Sequence, residues 1–389
     1  MIKNREQIIK SSKAYSLKGL IIYFLKLGAI GFGGPVALVG YMEQDLVEKW
    51  GWITKEEYLR GLTLAQLAPG PLAAQLAIYI GYMKGKVLGA TLVGTVFVLP
   101  SFVMVVILGI LYASYGGLVW MQSLFYGIGA AAIGIMVKSA FKLTKLVIKK
   151  SILFIGIFLV MGIVTAVAEE EIIWLFIMSG IIALLFNILS KRRKLKLTSI
   201  VPIFLFGLPE IVQNSQLTKI FFFFLKASFV VFGSGLAIVP FLHGGVVQQN
   251  HWLNERQFLD AVAVAMITPG PVVITVGFIG YLVEGFWGAT LASLGVFLPV
   301  YLFVILPAPY IEKYSSNVHI KSIIDGVTAA ATGAIAGAIV ILGKHAITDY
   351  FTGAIALITV IILFRFKLPE PLLIIISGIL GLMIFPLIH

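Results

Sequence analysis

Cysteine is absent from this 389-residue chain, and charge is scarce: Asp, Glu, Lys and Arg together make up 12%. Without cysteine there is no disulfide, thiolate metal site or cysteine nucleophile. The five histidines are too dispersed to form a metal cluster or a catalytic base. No GxxxxGK[ST] phosphate loop occurs, which argues against a nucleotide-driven pump. Nothing in the pattern pairs carboxylates or a nucleophile with its base, so neither an enzyme nor a bound cofactor is expected.

What is abundant is apolar surface. Hydrophobic residues make up 60% of the chain, against about half in a soluble domain. Apolar runs fall near 19–42, 59–83, 87–113, 118–142, 151–168 and 171–190, then near 217–242, 259–282, 286–310, 321–343, 348–364 and 371–388. Runs of this length define an all-α, polytopic membrane protein whose environment is the lipid bilayer. The net charge of +12 does not signal nucleic acid, because the cations cluster between apolar runs, at Lys138–Lys150, Lys191–Lys196 and Arg365–Lys367. Basic clusters beside spans mark cytoplasmic loops. The basic N-terminus therefore reads as cytoplasmic, ahead of an uncleaved first span in the plasma membrane.

The chain repeats itself. FLKLGAIGFGGPVALV from position 24 is answered by FLKASFVVFGSGLAIV from position 224, and Pro69-Gly70-Pro71 by Pro269-Gly270-Pro271. After one deletion the spacing becomes 199, so Gly81-Tyr82 answers Gly280-Tyr281 and Pro100 answers Pro299. The boundaries are a first repeat at 1–190, a linker at 191–216 whose short apolar stretch 198–213 could supply an extra crossing, and a second repeat at 217–389. Acidic Glu169–Glu171 occupies the turn that Arg365-Phe366-Lys367 occupies in the second half, so the loop charges ask for inverted repeats.

Each repeat carries two breaks within apolar sequence. Gly33, Gly34 and Pro35 correspond to Gly233, Ser234 and Gly235; the other pair is the two PGP elements. Proline ends a helix and is welcome at the first position of the next. Broken or re-entrant helices in inverted repeats place free N–H groups and positive dipole ends where an anion can bind. Gln66 and Gln75 flank the first PGP and Thr268 and Thr275 the second, offering uncharged donors to an oxyanion. Lys26 and Lys226, at matched positions within spans, serve either as anion attractors or as snorkelling residues. These eighteen residues form the expected substrate site. A buried acid for proton coupling is less evident; Asp325 is the best placed, while Glu284 reads as a loop residue.

FGGPVALVGYMEQDLVEKWGWI, LAPGPLAAQLAIYIGY and GATLVGTVFVLPSF, with AVAMITPGPVVITVGFIGYLVEGFWGATLASLGVFLP in the second half, resemble the chromate ion transporter family. The resemblance runs from about residue 20 to 345. It implies a long-chain, two-domain member, a secondary transporter exporting chromate and conferring chromate resistance. The alternatives are a carrier for a sulfate-like oxyanion and an anion channel. Leu72, Ala73 and Ala74 stand where small polar residues are common, which makes the first half-site drier. A homodimer fits a carrier of this size.

Overall fold

The computed structural model describes residues 15–32, 34–116, 118–148, 151–168, 173–191, 215–229, 231–233, 238–310, 318–366 and 368–388. The body of the linker, the Glu169–Glu171 turn and most of the Lys191–Lys196 cluster lie outside them. The first repeat contains α1 (Leu17–Ile30), α2 (Gly34–Met42), a π-helical turn (Glu43–Lys49), α3 (Lys55–Leu67), α4 (Leu72–Tyr115), α5 (Val119–Ile148), α6 (Ile152–Ala168) and α7 (Ile173–Lys191). The second contains α8 (Gln216–Ser228), α9 (Val239–Leu242), a π-helical turn (His243–Gln249), α10 (Glu255–Ile267), a 3-10 turn (Val272–Ile274), α11 (Thr275–Ile305), α12 (Val318–Ala346), α13 (Tyr350–Arg365) and α14 (Glu370–Ile388).

At 1.5 Å per residue, α1, α3, α8 and α10 rise only about 20 Å, less than the roughly 30 Å hydrocarbon layer. Each stops at a glycine or proline break and the chain turns back. Tyr15 stacks on Trp52 and Tyr23 meets Trp50, so the α1 hairpin closes on itself across its tip at Gly31. In the second repeat Phe223 packs on Phe241 and Trp252 in the same way. Beyond the first PGP, Gly61 of α3 lies against the ring of Tyr79 on α4, which makes the PGP another hairpin tip. The runs 59–83 and 259–282 are therefore not single spans. The stretch 43–60 is divided in two: the π-helical turn ends at Lys49 and Thr54 caps a fresh helix with Glu57.

Both long helices bend. α4 leaves helical geometry at Gly85 and Lys86, and α11 at Glu284 and Gly285. Past these bends the equivalent limbs run antiparallel: Thr91 meets Tyr301 and Phe102 meets Phe286, and further along α4 Gly109 meets Tyr281 just before the α11 bend. Antiparallel packing of equivalent helices is what an inverted repeat requires. The remaining helices are exchanged between repeats. α5 packs against α13 and α14, while its counterpart α12 packs against α6 and α7. Glycines allow the close approach, with Gly127 and Gly381 at one crossing and Gly326, Gly333 and Gly337 at the other. Apolar side chains such as Ile152, Val167, Leu189 and Ile361 remain exposed on the outer helices, where lipid covers them. Among the described residues five helices are long and apolar enough to cross a membrane, joined by three shorter apolar ones.

At the α4 bend Lys86 has φ +51° and ψ −138°, a conformation suited to glycine, and the second repeat has Gly285 there with φ +59°. A side chain in this region costs about 1–3 kcal/mol. The contact of Lys86 Nζ with the Tyr82 ring returns part of that, about 0.5–1 kcal/mol. Lys86→Gly is therefore expected to raise the unfolding temperature of the detergent-solubilised protein. A lowered one would show the bend to be held by the lysine.

Candidate functional site

Proline has no N–H, so Gly70 and Gly270 carry the only backbone donors within the two PGP elements. Both donors are engaged, and in crossed fashion. Gly70 N–H donates to the Val231 carbonyl at 2.5 Å, and Gly270 N–H donates to the Gly31 carbonyl at 2.8 Å. Gly31 and Val231 are equivalent positions, as are Gly70 and Gly270. Each PGP tip thus docks on the glycine break of the opposite repeat. On one side the docking extends to a short parallel pairing of β1 (Gly70–Pro71) with β2 (Phe232–Gly233). The glycines are needed here, with φ +136° at Gly70 and +88° at Gly270.

The carbonyls of the same peptides are held too. Gln75 Nε2 donates to Pro69 O at 2.7 Å and to Ala68 O at 3.2 Å. Ser101 Oγ, on α4, donates to Pro269 O at 2.7 Å. Thr268 and Thr275 donate to the Val264 and Val272 carbonyls of their own turns. These side chains brace the backbone, so their donors do not point at a ligand as the sequence suggested. Donors remain in the first turns after each PGP. Pro71 and Pro271 supply no side-chain cap, and the opening N–H groups of a helix have no intrahelical acceptor. Leu72, Ala73 and Ala74 on one side, and Val272 and Val273 on the other, carry those groups in a largely buried junction.

Of the expected site residues, Pro69, Gly70, Pro71, Gln75, Gly233, Thr268, Pro269, Gly270 and Thr275 come together at these tips, and Pro271 opens the second restart. Gly34 and Pro35 begin α2. Gly33, Ser234 and Gly235 lie outside the described residues. Gln66, Lys26 and Lys226 have exposed side chains and are not packed into the junction.

Three groups escaped the sequence reading. Ser101 looked like an ordinary serine in an apolar run. Asp260, in the first half of α10, is buried and accepts a 2.6 Å hydrogen bond from Tyr112 Oη of the other repeat. It is therefore a more enclosed carboxylate than the half-buried Asp325. His243 is 2% exposed and lies 2.9 Å from Glu255. The matched pair in the first repeat is Glu43 with Lys55, so the acidic residue and its nitrogen partner exchange positions between the repeats. Among the described residues no cluster of three His, Asp or Glu is placed to hold a metal.

Broken helices crossing between two repeats of a multi-pass helical protein are an architecture found in membrane transporters. The chromate transporter family model matches residues 19–184 and 218–382, one match per repeat, and the chain belongs to that family. It is 53% identical over 386 residues to the chromate transport protein of Cupriavidus metallidurans, covering 98% of this chain and 96% of that one. It is also 53% identical over 387 residues to a probable chromate transport protein of Synechococcus elongatus, covering 98% of each. The chromate transport protein of Pseudomonas aeruginosa is 26% identical over 390 residues, 94% of this chain and 92% of that one. No solved structure matches the chain.

Proposed function

We propose that the protein exports chromate, or a closely related tetrahedral oxyanion, across the plasma membrane from a cytoplasmic N-terminal orientation. The observation that carries this reading is the pair of uncapped helix starts, after Pro71 and after Pro271, fixed by reciprocal docking of the two repeats. Two helix N-termini offer partial positive charge and backbone donors to one anion without a fixed cation that would hold it too tightly. The substrate class comes from the family, whose relatives are named for chromate transport. Moving one charge through 100 mV is worth about 2.3 kcal/mol, so a dianion leaving an inside-negative cell gains about twice that. Membrane potential then drives export without nucleotide.

The test is uptake of labelled chromate into proteoliposomes of imposed potential. Accumulation should rise when the lumen is positive, saturate with chromate concentration and fall when sulfate competes. Flux linear in concentration would make the protein a channel. Absence of chromate flux at any potential would overturn the reading.

A further inference from the structure

The two PGP tips are held by the same kind of bond from different places. In the first repeat Gln75, five residues past the glycine, reaches back to Pro69 O. The equivalent residue in the second repeat is Thr275, whose hydroxyl bonds its own turn at Val272 O. Its side chain is shorter than that of glutamine, and the job at Pro269 O falls to Ser101 of the other repeat. The residue equivalent to Ser101 is Val300, which has no hydrogen-bonding group and packs at the Gly70 tip: its Cγ2 is 3.0 Å from where a Gly70 Cβ would sit. Gln75 and Ser101 are both fully buried. Each tip thus has one polar brace, from its own repeat in one case and from the opposite repeat in the other.

We propose that Ser101 is the positioning residue of the second tip, doing across the repeat interface what Gln75 does within the first repeat. Ser101 Oγ fixes the oxygen of the Pro269–Gly270 peptide while Gly31 O fixes its nitrogen. With both ends of the peptide held, the helix start after Pro271 keeps its aim. Ser101 also lies 3.4 Å from Gly28 O, which ties α1 to the same point. The bearing on transport rests on the function proposed above; the brace itself does not.

Transplanting the brace tests it. In detergent, hydrogen exchange of the peptide covering 268–275 should quicken about fivefold in Ser101→Val, with the 68–75 peptide unchanged. Adding Thr275→Gln should restore slow exchange, because a glutamine there has the reach that Gln75 shows. Gln75→Thr should loosen the 68–75 peptide, and Val300→Ser should restore it. In proteoliposomes Ser101→Val should raise the half-saturating chromate concentration by a similar factor, with the double variant recovering it. Ser101→Ala, which removes the hydroxyl without adding bulk, should repeat the loosening if Val folds poorly. Unchanged exchange in both Ser101 variants, or no recovery on adding Thr275→Gln, would overturn the proposal. Wild-type protein that carries no chromate but shows the exchange pattern would overturn the transport reading and leave the brace standing.

Discussion

Gly270→Ala is expected to reduce chromate flux by about tenfold or more while leaving the protein in the membrane. Gly270 sits at φ +88°, where an L-residue is strained by about 1–3 kcal/mol. An added Cβ would also overlap Ser101 Oγ and come within 3.1 Å of Gly28 O. The serine can yield only by leaving Pro269 O, and the backbone of α1 cannot yield cheaply. The tip then loses its brace and its docking on Gly31 together, and the helix start behind it loses its aim. At Gly70, with φ +136°, the nearest obstacles to a Cβ are side chains and not backbone, Gln75 Nε2 at 2.8 Å and Val300 Cγ2 at 3.0 Å. Gly70→Ala should therefore impair flux less than Gly270→Ala does. Initial rates at fixed potential, normalised to reconstituted protein, measure both. Wild-type rates in either variant would mean that the tips are packing kinks and the site is elsewhere.

The second large effect is on folding. Just before each bend a glycine faces the backbone of the returning limb: Gly81 against the Gly89 carbonyl, and Gly280 against the Gly288 carbonyl. Overpacking commonly costs about 1–3 kcal/mol even where side chains can rearrange. Here the obstacle is main chain, so the hairpin has to open. Gly81→Val and Gly280→Val should each abolish recovery of monodisperse protein in mild detergent. Gly129 and Gly156 provide the control, since a Cβ at either meets nothing within 4 Å. Alanine at those helical positions should be neutral or stabilising by about 0.5–1 kcal/mol. Normal recovery of both bend variants would show that the limbs do not cross as described.

Proline and glycine made much of this architecture legible in the sequence. A PGP in apolar sequence stops and restarts a helix or kinks it, and its recurrence after 200 residues marks two breaks of one kind. The crossed docking was not legible, because nothing local to Gly70 names Val231 as its acceptor. The same holds for the exchange of α5 and α12, which depends on small-residue crossings between helices far apart in sequence, such as Gly127 with Ser377. Side-chain roles were harder still. Gln75 reads as a donor to a ligand until Pro69 O is seen to take its amide, and Ser101 reads as unremarkable until Pro269 arrives from the other repeat. Nothing local to Asp260 names Tyr112, 148 residues away, as the donor to its carboxylate.

The most direct measurement is anomalous diffraction at the chromium absorption edge from crystals equilibrated with chromate. A chromium peak is expected between the first turn of α4, at Leu72 to Ala74, and the restart at Val272 and Val273. Chromium bound instead along the exposed Lys26 or Lys226, with none at the crossed tips, would contradict a site built from the broken helices.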